Sequence, residues 1–255
     1  MAGEDDANLK WDDQLLRNPH AAADKRARVQ RMFAAIAPSY DINNRLHSLW
    51  QDQRWRRKAV KLAHLRPGET VVDVACGTGD LAIAFASRLS GGSVIGIDFT
   101  HAMLPLARHK SAIGNPQSAI TFSCGDALAL PLPDACADVV SIAFGIRNVQ
   151  DPARALQEFH RILRPGGRVI ILEFSLPTNP LLRALYNFYF RRVLPVTATL
   201  ISRDRTGAYR YLPESVNTFL GREQMATMMR DAGFTQVEQL PMTFGVCVCY
   251  RATRS

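Results

Sequence analysis

The sequence predicts an α/β fold in which a parallel sheet is covered by helices on both faces. Short apolar, β-branched runs alternate with helical segments between residues 70 and 174. The 255 residues suffice for one domain with an elaboration, and 47 % hydrophobic residues exclude a disordered or fibrous chain. No run of 18 apolar residues is present, so the sequence predicts no membrane-spanning helix.

Individual elements follow from local patterns. Residues 1–30 are polar and mixed in charge, which predicts a loose arm or a surface helix, and a single domain is expected over 31–255. Strands are predicted at 70–75, 93–97, 119–123, 138–144 and 168–174, with helices at 29–50 (broken at Pro38), 80–89, 100–110 and 152–163. A helix over 221–233 and strand-like stretches at 236–240 and 245–251 close the chain.

Two stretches concentrate basic charge. Residues 45–66 hold seven Lys or Arg against one acid, Asp52, a pattern typical of a solvated helix face. Residues 174–203 hold four Arg and no acid among many aromatic and aliphatic residues, and we expect an insertion here that is helical over 181–192. The net charge of +8 is compatible with nucleic acid, an anionic membrane or an anionic ligand.

A glycine-rich turn joins the first predicted strand to a helix. Its segment, 73–80, reads DVACGTGD, and Gly77 and Gly79 allow a tight turn and a close approach to a ligand. Asp98 ends the next strand, 21 residues after Gly77, where a carboxylate can accept both hydroxyls of a ribose. The competing interpretation of Asp98 is a helix N-cap, because a helical stretch follows at once.

Asp126 follows the third strand and could accept the amino group of an adenine, or be an ordinary turn residue. The carboxyl ends of successive strands form the usual ligand edge of such sheets, so these positions together predict a pocket for an adenosine-bearing cofactor. Asp80 directly after the turn is an unfavourable neighbour for the pyrophosphate of NAD, and with Asp73 it favours a cationic sulfonium such as S-adenosylmethionine. A dehydrogenase nevertheless stays open at this point.

Longer motifs resemble the class I S-adenosylmethionine-dependent methyltransferases, in particular the quinone C-methyltransferases of menaquinone and ubiquinone biosynthesis. The resemblance spans residues 33–251 and rests on VVDVACGTGDL, GIDFTHAML and GDALALPLPD, with the branch-specific segments SYDINN (39–44), FGIRNV (144–149) and AYRYLPESV (208–216). It implies a Rossmann-like, seven-stranded sheet with a helical N-terminal extension and a cap insertion near residues 175–215.

The resemblance also implies site residues. Cofactor contacts are expected at Thr78, Asp98, Asp126 and Ala127, to which the glycine turn adds Asp73, Gly77 and Gly79. Tyr40, Arg147 and Asn148 match positions that line the quinol pocket and are expected to be catalytic. Arg147 stays protonated, so it can hold a quinolate or orient a water but cannot itself be the base.

The implied activity is C-methylation of a prenylated quinol, demethylmenaquinol first, with the 2-methoxy-6-polyprenyl-1,4-benzoquinol of ubiquinone biosynthesis as the alternative. A methyltransferase acting on another small molecule or on RNA, and a non-enzymatic scaffold, are the remaining hypotheses. We expect no metal and no nucleic acid, leave a homodimer open, and expect a cytoplasmic protein at the inner face of the cytoplasmic membrane. Five cysteines without a C-x-x-C pair fit a reducing cytosol.

Overall fold

The computed structural model describes residues 9–114, 119–204 and 206–255. Its strands are β1 Thr70–Val74, β2 Ser93–Asp98, β3 Ile120–Cys124, β4 Ala137–Ala143, β5 Leu163–Phe174, β6 Phe234–Met242 and β7 Cys247–Arg254. They form one seven-stranded sheet in the order β3-β2-β1-β4-β5-β7-β6. The α/β prediction is confirmed, and β1 to β5 are parallel. The prediction of a parallel sheet does not extend to β7, which runs antiparallel to β5 and β6. A turn over residues 243–246 joins β6 to β7, and so short a connection permits only antiparallel pairing.

The helices are α1 Lys25–Ile36, α2 Tyr40–His47, α3 Gln51–Leu62, α4 Asp80–Ala86, α5 Met103–Gly114, α6 Pro152–Ile162, α7 Pro180–Phe188, α8 Leu194–Ser202, α9 Ala208–Asn217 and α10 Arg222–Asp231. The predicted break at Pro38 is a 3₁₀ turn, Ala37–Ser39, between α1 and α2. Strand β5 begins five residues before the predicted start, because Leu163 already pairs with Ala137 and the predicted turn, 164–167, bulges within the strand.

Both faces of the sheet are buried, with alternate residues of each central strand facing opposite sides. Val72 and Ile171 pack with Phe159 of α6 on one face. Val71 and Ile170 pack with Phe85 of α4 on the other face. Burial on both faces therefore explains the predicted apolar runs. Each buried strand ends where polar residues follow in the sequence.

The N-terminal segment differs from the loose arm predicted over residues 1–30. Trp11, Leu16 and Val29 are buried, and the ring of Trp11 lies 4.4 Å from that of Tyr211 in α9. Widely spaced apolar residues in a polar segment give no periodic signal, although each finds a partner in the cap. Residues 1–8 of the predicted arm lie outside the described residues, and the division into arm and domain stays a prediction.

The insertion after β5 forms a helical cap at the carboxyl edge of the sheet. The helix predicted over 181–192 is α7 followed by one π-helical turn, Tyr189–Val193, after which α8 and α9 continue the cap. Phe190 contacts Phe174, the last residue of β5, with ring centroids 5.9 Å apart. In the described part of the chain, no helix combines the length and apolarity needed to cross a bilayer.

Candidate active site

Two loops meet at the carboxyl ends of β1 and β4, and both have unusual backbone. Ala75 and Phe144 adopt left-handed conformations with φ of 51° and 59°. A Cβ on Gly145 would lie 2.8 Å from that of Ala75, so the loops touch. Non-glycine residues in this region of φ/ψ space are strained and concentrate at functional sites. Both loops present their backbone to a cavity.

This first cavity encloses about 740 Å³ of space not filled by atoms, part of it open to solvent. Six predicted cofactor or catalytic residues line it, namely Tyr40, Gly77, Asp98, Asp126, Ala127 and Asn148. Several apolar residues that the sequence reasoning did not select complete the walls, namely Phe33, Phe99, Met103, Leu128 and Phe144. The strand-end rule thus located the cavity, while its apolar lining carried no local signal in the sequence.

Asp98 lines the first cavity, and it is not a helix N-cap, because α5 begins only at Met103. Its Oδ2 accepts a hydrogen bond from Gly77 N at 2.8 Å and its Oδ1 accepts one from Thr100 N at 2.7 Å. Burial raises the pKa of Asp98, although the Thr100 and Gly77 amides oppose that shift. Because each carboxylate oxygen has a second lone pair, Asp98 can still accept hydrogen bonds from a ligand's hydroxyls.

Asp126 also lines the first cavity, where it pairs with Arg26. Its Oδ1 accepts a hydrogen bond from Leu128 N at 3.0 Å, and its Oδ2 lies 2.8 Å from Nη2 of Arg26. Arg26 belongs to α1 and also lines the cavity, so the N-terminal extension forms the part of the wall beside Asp126. Arg26 and Asp126 lie 100 positions apart, and no local sequence pattern predicts their pairing.

Three predicted cofactor residues lie behind the turn instead of on the cavity wall. The carboxylate of Asp73 accepts a 2.7 Å hydrogen bond from Ser141 Oγ in the neighbouring strand, and burial raises the pKa of Asp73 to about 7. Thr78 donates its hydroxyl to Asp41 at 2.6 Å. Gly79 begins α4 with φ of 84°, and a Cβ there would lie 3.1 Å from Phe122. These residues shape the turn, and their side chains do not reach the cavity.

Asp80 is less of an electrostatic obstacle than the sequence suggested. Lys110 Nζ lies 2.7 Å from its Oδ1 and Arg45 Nη2 lies 3.2 Å away. Burial alone would raise the pKa of Asp80, but the charges of Arg56 and Lys110 outweigh it and hold that pKa below its ordinary value. The argument that Asp80 repels a pyrophosphate therefore loses force, since cations from α2 and α5 balance its charge.

The first cavity still fits an adenosine-bearing sulfonium better than a dinucleotide. Its wall carries two carboxylates, Asp98 and Asp126, against one cation, Arg26, which already pairs with Asp126. The glycine turn contributes backbone only, since Gly77 has no side chain. A Cβ placed on Gly77 would lie in open space, with no heavy atom within 4 Å. This donor set suits hydroxyl and amino donors and a positive charge. Within the described ranges, no group of three or more His, Cys, Asp or Glu residues could hold a metal.

A second cavity of about 650 Å³ adjoins the first beneath the cap. The two share three wall residues, Phe33, Tyr40 and Phe144. Arg147 lines the second cavity only, whereas Asn148 lines the first. Tyr40 is thus the one predicted catalytic residue that lines both cavities.

Arg147 is held in a buried ion pair. Its Nη1 lies 2.6 Å from Oε1 of Glu173 and donates to Phe144 O at 2.8 Å, while its Nε donates to Ser215 Oγ at 3.3 Å. The guanidinium also lies over the ring of Phe174, 5.3 Å from the centroid. Glu173 lies within the strand predicted over 168–174, and no sequence pattern marked it as a site residue. It holds the Arg147 guanidinium at the wall of the second cavity.

Asn148 is engaged within the protein rather than free for a ligand. Its Oδ1 accepts a 2.9 Å hydrogen bond from Tyr211 Oη, and its Nδ2 donates to Phe144 O at 3.1 Å. A hydrogen bond from Asn148 to a ligand would therefore compete with Tyr211 and Phe144. The geometry instead ties the FGIRNV turn to the cap through Tyr211.

A polar stripe along α2 and α3 lines the second cavity, and Tyr40 is the one member that the sequence had singled out. Its members recur at every fourth position: Tyr40, Asn44, Ser48, Asp52 and Arg56. Tyr40 and Asn44 share one face of α2, Asp52 and Arg56 share one face of α3, and Ser48 lies in the connection between the two helices. Counting bases over 45–66 predicted a solvated face, but Asp52 and Arg56 are 4 % and 6 % exposed. The spacing was the signal that could have found them.

Comparison with known proteins agrees with this geometry. The model of the ubiE/COQ5 methyltransferase family matches residues 21–254. A relative from Thermus thermophilus named demethylmenaquinone methyltransferase is 46% identical over 223 residues, 88% of this chain and 100% of the relative. A relative from Geobacter sulfurreducens named ubiquinone/menaquinone biosynthesis C-methyltransferase UbiE is 44% identical over 229 residues, 89% of this chain and 88% of the relative.

The solved structures bear on the fold. A Thermotoga maritima protein described as a SAM-dependent methyltransferase, possible histamine N-methyltransferase, superposes with a TM-score of 0.61 at 21% identity, covering 89% of this chain and 100% of that one. The predicted Rossmann-like methyltransferase fold is confirmed. With the family model extending over nearly all of the sheet, both cavities and the cap, the chain belongs to the ubiE/COQ5 methyltransferase family.

Proposed function

We propose that the protein transfers a methyl group from S-adenosylmethionine to a ring carbon of a prenylated quinol, with demethylmenaquinol as the first candidate. The observation that carries this proposal is the pair of adjoining cavities that share Phe33, Tyr40 and Phe144. Methyl transfer needs donor and acceptor in contact, and positioning supplies much of the rate enhancement. The relatives' names contribute the substrate class.

The first cavity is the proposed cofactor site. Asp98 would accept the ribose hydroxyls, and Asp126 with Ala127 would face the adenine. The loops at Ala75 and Gly77 would lie along the remaining part of the ligand. When bound, the cofactor supplies an electrophilic methyl group on a sulfonium, and the protein supplies orientation and electrostatic environment.

The second cavity is the proposed acceptor site. A quinol ring carbon is a weak nucleophile, and it becomes reactive when a ring hydroxyl loses its proton. Arg147, pinned by Glu173, would place positive charge near the resulting oxyanion, and Tyr40 would contact the ring between the two cavities. Buried aromatic residues of the cap, such as Tyr209 and Tyr211, would cover the ring.

Radiolabelled S-adenosylmethionine tests the activity directly. The protein is incubated with label and with either reduced demethylmenaquinone or the reduced 2-methoxy-6-polyprenyl-benzoquinone, and the methylated quinols are separated by chromatography. We expect label in the naphthoquinol, and label in the benzoquinol alone would move the assignment to the ubiquinone branch. Label in neither ring, from protein that binds the cofactor, would refute the proposal.

We further propose that the protein works at the inner, cytoplasmic surface of the membrane where such a lipid resides. An apolar surface, defined here as Ile42, Leu46, Leu49, Trp50, Leu181, Leu185, Phe188, Val196, Leu200 and Ile201, is 41% to 76% exposed at every member. His47 joins its two halves, because its Nε2 lies 2.8 Å from Thr197 Oγ1 and its backbone oxygen accepts a hydrogen bond from Tyr189 Oη. Clustered exposed apolar residues beside Arg191 and Arg192 fit an anionic lipid interface.

Flotation with anionic liposomes tests the membrane proposal. Charge reversal at Arg191 and Arg192 to Glu, or Leu200→Asp, should reduce the floated fraction several-fold. The matched control is charge reversal at Lys61 and Arg66, which are exposed near the opposite, amino edge of the sheet. Equal flotation of both double variants and the parent would exclude a specific membrane-binding face.

A further inference from the structure

We propose that Asp52 accepts the hydroxyl proton of the acceptor and that Arg56 holds the oxyanion left behind. The inference rests on the proposed function for the identity of the acceptor, a hydroxylated aromatic ring. It assigns catalytic roles to two residues of the polar stripe that line the second cavity.

Arg56 is a buried cation beside the floor of the second cavity. Its Nη1 lies 2.9 Å from Oδ2 of Asp52, and its guanidinium lies 5.2 Å from the ring centroid of Phe144. Phe144 is also a wall of the first cavity, so Arg56 lies close to the boundary between donor and acceptor. Burial raises the pKa of the Tyr40 hydroxyl, and the charges of Arg56 and Arg147 oppose that shift, so both cations act on the space around Tyr40.

Asp52 is a carboxylate on the wall of the second cavity, and several hydrogen-bond donors contact its two oxygens. Ser48 Oγ donates to its Oδ1 at 2.9 Å, and Gln53 Nε2 lies 3.0 Å from its Oδ2. Gln53 also donates to Asp80 at 2.8 Å. Ser48 lines the cavity as well, so a ring hydroxyl can reach the carboxylate directly or through the Ser48 hydroxyl.

Glu173 is less suited to the same task. Its side chain is 2 % exposed, pairs with Arg147, and accepts the backbone N–H groups of Arg147 and Phe174. Phe174 and Arg147 form the cavity wall in front of it. Glu173 therefore fixes Arg147, whereas Asp52 itself faces the acceptor.

The proposed step balances without any further reactant. The O–H bond of the acceptor breaks, its electron pair stays on oxygen, and the proton bonds to a carboxylate oxygen of Asp52. Arg56 then exchanges a carboxylate partner for the new oxyanion. The net charge of the buried pocket stays constant, which avoids the large cost of creating an unpaired charge in a site of low dielectric.

Other polar groups face this space from the neighbouring elements. Arg147 comes from the FGIRNV turn, and Tyr209 and Tyr211 come from α9 of the cap. Burial raises the pKa of Tyr209 to about 12, so that hydroxyl stays neutral and cannot serve as the anion. Asp52 is thus the one carboxylate among the described residues of this wall.

A chromogenic phenol tests the assignment without methyl transfer. A nitronaphthol, whose phenolate absorbs visible light, is bound to the full-length protein and its pKa in the complex is measured by absorbance titration. Asp52→Asn removes a competing anion and should lower the bound probe's pKa by about one to three units, while Arg56→Met should raise it by a similar amount. Opposite shifts are the signature that a structural role would not produce.

Controls make the outcome decisive. Asp24 and Arg28 form another i,i+4 pair at 2.8 Å, on α1 and outside both cavity walls, so Asp24→Asn and Arg28→Met should leave the probe's pKa unchanged. If Arg56→Met unfolds, Arg56→Lys keeps the charge, and its bound probe should titrate close to the parent value. Unshifted pKa values, or shifts of the same sign in the folded Asp52 and Arg56 variants, overturn the inference. Opposite shifts in a protein that methylates neither quinol would support the pair and refute only the proposed acceptor.

Discussion

The buried pair Arg147–Glu173 should contribute a large coupling free energy to stability. Removing one member leaves the other charged and desolvated, which typically costs ~3–5 kcal/mol. In Arg147→Met, Glu173 keeps the backbone donors of residue 147 at 3.4 Å and Phe174 at 2.8 Å. In Glu173→Gln, Arg147 keeps Phe144 O at 2.8 Å and Ser215 Oγ at 3.3 Å. Because each variant retains two hydrogen bonds that offset ~1 kcal/mol apiece, we expect a loss of ~1–3 kcal/mol per single variant.

The double variant should lose much less than the sum of the two singles, because neither buried charge remains. Urea denaturation of the parent, both singles and the double gives the coupling free energy, which we expect to be at least ~2 kcal/mol. The exposed pair Arg191–Glu214, 2.9 Å apart with side chains 46% and 28% exposed, is the matched control and should couple by less than ~1 kcal/mol. Additivity within ~0.5 kcal/mol at Arg147 and Glu173 would refute the reasoning.

Three further outcomes follow from the same contacts. Asp98→Ala should weaken binding of S-adenosylmethionine at least ~10-fold by calorimetry, since charge-assisted hydrogen bonds contribute ~1.5–3 kcal/mol, whereas Arg147→Ala should retain binding and lose turnover. Gly96→Ala should lower the unfolding free energy by ~1–3 kcal/mol, because its Cβ would lie 2.5 Å from Phe122 Cδ1, while Gly114→Ala, with open space, should not. Burial, with the charges of Lys25 and Arg147, lowers the pKa of His20 to about 4, so stability should fall as pH drops from 6.5 to 4, by no more than ~3 kcal/mol, and His20→Gln should reduce this loss.

The sheet was predictable because two-sided burial leaves a strong local signal. Runs such as 70–74 and 168–174 are mostly apolar and β-branched or aliphatic, and the strand ends follow from the polar residues after them. The antiparallel direction of β7 was not predictable from its composition. It depends on the length of the β6–β7 turn and on insertion between β5 and β6, which are properties of the whole sheet.

The edge of the sheet that holds the first cavity was also within reach of the sequence, because strand ends in an α/β sheet meet at one edge. Asp98 and Asp126 line the first cavity as expected. Thr78 does not, because its hydroxyl is taken by Asp41, a residue 37 positions earlier. Such a contact depends on how α2 packs over the glycine turn, and this packing cannot be predicted from a local stretch of sequence.

The basic stretch 45–66 shows why spacing is more informative than charge counting. A count treats its bases alike, yet Arg45 and Arg56 pair with carboxylates while Arg57 and Lys58 are exposed. The difference follows from helix geometry, since positions 52 and 56 fall on one face of α3, which lines the second cavity. A lone acid at one of these positions, four residues before a base, is therefore evidence for a buried pair. Asp52, which the count treated as the exception in a solvated face, is the residue that makes this wall able to accept a proton.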